Sequence, residues 1–117
     1  MAKKFPITIY HNPKCGTSRN VLEMIEAAGH APEVVEYLKV GWTKKQLKEL
    51  FAAAGLAPRE AMRSNAPEAE ALLDDKVSDA KILDAMVEHP ILVNRPIVVT
   101  PKGTRLARPK ERVEEIL

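Results

Sequence analysis

"PITIYHNPKCGTSRNVLEMIEAAGHAPEVVEYL", residues 6–38, decides the fold. The β-rich run 6–10, opened by Pro6 and closed by a polar loop, predicts a strand. From Thr17 the spacing becomes helical: Val21, Leu22, Ile25 and Ala28 fall on one face, and Gly29 is the stop. "EVVEYL" (33–38) predicts a second strand. A strand, helix and strand of this length give a parallel pair joined by a right-handed crossover.

Beyond this unit the middle of the chain is helical. Thr43 and Gln46 have capping-box spacing ahead of Leu47, Leu50, Phe51 and Ala54, and Gly55 closes the segment. Short helical pieces are expected at 58–62 and 67–73. Ser78 can cap a further helix carrying Ile82, Leu83 and Met86 that must end by Pro90. "PIVVT" (96–100) and "TRLA" (104–107) flank a Pro-Lys-Gly turn and predict a β-hairpin, while Pro109 suits the first position of a last helix with Val113, Ile116 and Leu117. The order is β-α-β, a helical stretch, then β-β-α. This is the thioredoxin-like α/β arrangement: one domain over 1–117 with a small mixed sheet and a helical insertion over about 40–92. In such folds a cis proline opens the hairpin strand, so a cis Arg95–Pro96 bond is expected.

At 117 residues the chain can bury its own core, and its 45% hydrophobic and 29% charged residues are ordinary for a folded domain. A net charge of +2 gives no bulk electrostatic argument for a nucleic-acid or membrane partner. No apolar run approaches the roughly 20 residues that span a bilayer. "MAKKFPITIY" has no signal-peptide apolar region, and the single cysteine excludes an internal disulfide, so a reducing, cytoplasmic setting is expected.

That cysteine, Cys15, lies in the loop between the first strand and its helix. Unpaired N–H groups and the helix dipole there favour a thiolate and can cradle an oxyanion. Gly16 would let a ligand approach the backbone, and Arg19 would add charge one turn on. A lone cysteine is more often a buried structural residue, but polar neighbours in a strand-to-helix loop favour the reactive reading. Ser18 stands where a C-x-x-C motif has its second thiol. It either donates to the thiolate or satisfies backbone donors in the first turn. His11, if protonated, would support the thiolate; alone, a loop histidine is usually structural. Asn12 either binds an anion or forms an Asx turn. His30 and His89 sit at helix ends, and one cysteine with three scattered histidines makes no metal site.

"IYHNPKCGTSRN", "MRSN" and "HPILVNRPIVVTPKGTRLARP", in this order, resemble the glutaredoxin-linked arsenate reductases, the ArsC family, over essentially the whole chain. The ending "VEEIL" resembles its short stand-alone branch, and alanine stands at 107 where some relatives have a non-essential cysteine, which leaves no spare thiol. The resemblance implies that Cys15 is the nucleophile and that Arg63, Arg95 and Arg108 hold arsenate. It places His11, Asn12, Ser18 and Arg19 in support. It further implies glutathione as co-substrate, with no bound cofactor, and glutaredoxin as protein partner. Phosphate would compete for the anion site, since its shape and charge are nearly those of arsenate. Planar guanidinium forks suit such oxyanions, although each arginine taken alone reads as a surface residue.

Two rivals remain at the level of sequence. A cysteine phosphatase places its arginine six residues after the cysteine, whereas Arg19 is four after it. A non-catalytic regulator or adaptor on the same fold, like the polymerase-binding relatives, typically carries a C-x-x-C switch that is absent here.

Overall fold

The computed structural model describes residues 5–117. The start of the segment read for a leader, residues 1–4, lies outside it. The chain forms two compact units. The first combines the described residues up to Tyr37 with Arg95–Leu117, and the second is Leu38–Asn94.

In the first unit, β1 (Thr8–His11), α1 (Gly16–Ala27) and β2 (Glu33–Glu36) form the expected parallel unit, with Ile9 registered on Val34 and His11 on Glu36. The hairpin of β3 (Ile97–Thr100) and β4 (Gly103–Leu106) adds antiparallel to the other side of β1, giving a mixed sheet in the order β2-β1-β3-β4. Alternation along β1 turns Ile9 and His11 inward. Ile9 packs with Ile7, Val21, Ile25, Val98, Ala107, Val113 and Ile116 in one buried cluster. Each fully buried aliphatic side chain there contributes about 1.5–3 kcal/mol. The same face therefore carries His11 to the top of α1. The Arg95–Pro96 bond is cis, as expected, and so is Arg108–Pro109.

The second unit is built on α3 (Lys44–Ala54) and α4 (Asp79–Glu88), which pack together. The Thr43–Gln46 box is formed in both directions: Gln46 N–H donates to Thr43 Oγ1 at 3.1 Å and Thr43 N–H to Gln46 Oε1 at 3.3 Å. Gly55 closes α3 at φ 70°, a left-handed conformation that glycine adopts without penalty. Ser78 caps α4 by accepting Lys81 N–H at 3.2 Å. The connection before α4 is held by Arg59, whose guanidinium donates to the carbonyls of Leu72 (2.9 Å), Asp74 (3.0 Å) and Val77 (2.9 Å).

Several boundaries differ from expectation. β2 ends at Glu36, and Tyr37–Val40 (α2) is a single helical turn. Tyr37 is completely buried there, so its large ring outweighs the continuation of the strand pattern. Ala28 is exposed as the C-cap of α1 rather than part of its buried face. Residues 58–61 form turns, not a helix; Pro67–Leu72 and the last segment, Lys110–Ile116, are 3₁₀ helices. Pro109 is the N-cap of that last helix rather than its first residue. Its two buried residues, Val113 and Ile116, are three apart, which suits a helix of three residues per turn.

Candidate active site

Cys15 is the N-cap residue of α1, with φ −95° and ψ 122°, and only 8% of it is exposed. Its own N–H donates to Asn12 O at 3.0 Å and its carbonyl accepts Arg19 N–H at 3.0 Å, so the backbone on both sides of the thiol is fixed. Two arginines from the far end of the chain converge on the sulfur. Arg108 Nη1 donates to Cys15 Sγ at 3.6 Å and also to Arg95 O at 3.1 Å. The Arg95 guanidinium also lowers the pKa of the thiol, by its charge first. Arg95 immediately precedes β3 and Arg108 follows β4, so closing the hairpin beside β1 delivers both.

Burial pushes the Cys15 thiol up. The Ser18 backbone N–H, the Arg95 charge and the donors of Arg108 and Arg95 outweigh it and hold the thiol below its ordinary value. The Ser18 contribution comes from the first helical turn. No side-chain cap hydrogen bond to Cys15 is formed in the resting geometry, but the exposed amide dipoles favour negative charge on Sγ. The resulting group is a buried, electropositively lined cysteine whose thiolate form is favoured relative to a free thiol.

Ser18 is fully buried and its hydroxyl is not turned to the thiol. Ser18 Oγ accepts Asn12 N–H at 3.0 Å and lies 2.7 Å from His11 Nδ1. Of the two sequence readings, the one in which the side chain satisfies a backbone donor is realised. Of the two readings of His11, the structural one is favoured: the ring bonds Ser18 Oγ, and burial lowers its pKa, Glu36 opposing and Arg19 reinforcing that effect, which favours the neutral ring. Asn12 makes the Asx turn, its Oδ1 accepting Lys14 N–H at 3.0 Å.

Arg19 is also redirected. It is exposed, donates to Pro13 O at 2.8 Å, and is not among the groups that lower the thiol. At Gly16 an added Cβ would meet nothing closer than Arg19 Nη2 at 3.9 Å, so the space over this first-turn amide is open. Arg63 belongs to the second unit, where its N–H donates to Leu92 O at 2.7 Å beside the Met62–Val93 bridge. Its Nε is buried with no hydrogen-bond partner among the described residues.

The family model described as "ArsC family" matches residues 10–116. The chain belongs to the ArsC family. Among curated ArsC-type relatives, it is 66% identical over 113 residues to the arsenate reductase ArsI2 of Synechocystis, covering 95% of this chain and 81% of that protein. It is 52% identical to the arsenate reductase of Escherichia coli, covering 95% of this chain and 80% of the relative. In solved structures, the arsenate reductase of Vibrio cholerae superimposes with a TM-score of 0.92 at 41% identity, over 98% of this chain and 100% of that one. The thioredoxin-like reading of the ArsC fold is thereby shown. No helix of the described residues is long and apolar enough to cross a membrane.

Proposed function

We propose that this chain reduces arsenate to arsenite through a covalent cysteine–arsenic intermediate. The observation that carries this reading is one buried thiol at a helix N-terminus, its pKa lowered by the arginines around it, with Arg108 Nη1 3.6 Å from the sulfur. Such a site binds a tetrahedral oxyanion next to the nucleophile and neutralises the charge of the departing oxygen.

The Cys15 thiolate attacks As(V), and one arsenate oxygen leaves as water after protonation. Arg95 and Arg108 orient the oxyanion; for Arg63 the role rests on the family resemblance alone. Glutathione then displaces a second oxygen and places its sulfur on arsenic. A glutaredoxin thiolate attacks that glutathione sulfur. The As–S electron pair stays on arsenic, which becomes As(III), and a glutaredoxin–glutathione disulfide departs. Water releases arsenite and regenerates Cys15. With one cysteine in the chain, both further thiols must come from outside.

Phosphate occupies the same site without being reduced, because thiols do not reduce it. The test is a coupled assay with arsenate, glutathione, glutaredoxin, glutathione reductase and NADPH. Turnover that needs glutaredoxin and that phosphate inhibits competitively is expected. Multiple turnovers with thioredoxin and its reductase, without glutathione, would overturn the thiol sequence. No turnover together with recovery of RNA polymerase on the immobilised protein would favour the regulator instead.

A further inference from the structure

We propose that Glu36 is a positioning residue for the reaction at Cys15, acting through the His11 imidazole against which β2 registers it. The proposal rests on the reading of Cys15 as nucleophile. Glu36 pairs with His11 across the parallel β1–β2 ladder, and registered residues of adjacent strands project to the same side of a sheet. His11 is only 5% exposed and Glu36 is half-buried, so the carboxylate acts on the ring through a medium poorer in water than bulk solvent.

What the ring controls is the start of α1. The Ser18 hydroxyl is fully buried and already accepts Asn12 N–H, which leaves its own proton to place. A neutral His11 accepts that proton at Nδ1, 2.7 Å away, and the Ser18 hydroxyl then both donates and accepts. A protonated His11 has a donor at Nδ1. Two donors then face Ser18 Oγ, and the hydroxyl proton loses its acceptor in a site closed to water. Ser18 is the residue whose backbone N–H, in the first turn of α1, favours negative charge on Cys15, so the trio holds that amide in place. The charged groups acting on His11 are Glu36 from β2, which favours protonation, and Arg19 from α1, which opposes it together with burial. Glu36 thus sets how far the pH must fall before the cysteine loop loses its bonded arrangement.

The test follows the imidazole of His11 by NMR through a pH titration, alongside the pH profile of Cys15 alkylation by iodoacetamide. His30 and His89 serve as internal references. Glu36→Gln is expected to lower the His11 midpoint by about 0.5–1 pH unit, the effect of one partly screened charge a strand-spacing away. It is expected to carry the acid-side inflection of alkylation and of kcat/KM with it. Glu36→Asp, which keeps the charge, should restore both, and Glu36→Lys should lower the midpoint further. A His11 midpoint unchanged in Glu36→Gln would overturn the proposal. So would a midpoint that moves while the alkylation profile stays in place, or a wild-type His11 that does not titrate above pH 5. The NMR and alkylation measurements need no arsenate, so absence of arsenate turnover would count against the proposed function and not against this coupling.

Discussion

Removing Arg108 tests the electrostatic reading of the thiol most directly. Its Nη1 is 3.6 Å from Sγ, where a pair of unit charges is worth about 1.2 kcal/mol in a water-like dielectric and about 4.6 kcal/mol at an effective constant of 20. The contact is only partly buried, so the low end applies, at about 1–2 kcal/mol. One pKa unit corresponds to about 1.4 kcal/mol, so Arg108→Ala should raise the Cys15 pKa by about one unit. The assay is the rate of alkylation by iodoacetamide between pH 5 and 10, with the midpoint read from the thiolate-dependent limb. Below that midpoint the variant should react about tenfold more slowly at any given pH. Arg108→Lys keeps the charge but cannot present the same planar fork to Sγ and to Arg95 O, so an intermediate midpoint is expected. Arg105→Ala is the control, because that guanidinium is engaged by Glu115 at 2.9 Å and by Thr104 O. A midpoint that shifts by less than about 0.3 units in Arg108→Ala, or as much in Arg105→Ala, would refute the argument.

Further outcomes are expected. Cys15→Ser should abolish turnover and remove a pH-dependent part of the stability. The folded thiol is held low, so the unfolded chain binds the proton more tightly; the contribution is complete above the unfolded value of about 8.5 and is lost as pH falls through the folded one. Urea midpoints of wild type and variant should therefore diverge more at pH 9 than at pH 6, and equal gaps would count against a stabilised thiolate. Ser18→Ala strands the buried Asn12 N–H and should cost about 1–3 kcal/mol in urea unfolding, with a measured loss near zero excluding the network described. Arg59→Ala should speed amide exchange at Lys76 and Val77, since three carbonyls lose their shared donor, and unchanged exchange there would show that the connection holds itself.

What could be read from the residues was whatever local rules govern. The β-α-β unit declared itself through a change of period at Thr17, and the Thr43–Gln46 box through its spacing, because both are short-range effects. The end of β2 did not. "EVVEYL" continues as a strand by propensity, and only the fully buried place taken by Tyr37 explains the turn that follows Glu36. At the site, the cysteine loop was legible as a helix N-terminus. The protonation of His11 was not, since it depends on burial and on a carboxylate 25 positions away that the strand register alone brings alongside. Arg19 misled for a related reason: proximity along a helix does not say which carbonyl will claim a guanidinium, and here it is that of Pro13. Arg95 and Arg108 looked like ordinary surface arginines until the hairpin carried them to the sulfur.

The serine at position 18 has a consequence for how the protein withstands oxidants. A thiolate of lowered pKa is readily oxidised to a sulfenic acid, and a neighbouring thiol would capture that species as a disulfide before it advanced to the irreversible sulfinic state. Here the place such a thiol would occupy holds a hydroxyl committed to His11 and Asn12. The chain contains no other sulfhydryl with which to close a protective bridge. Peroxide that reaches Cys15 is therefore countered only by thiols diffusing in from solution. Survival of the Cys15 thiol under oxidative stress then depends on the size of the surrounding thiol pool.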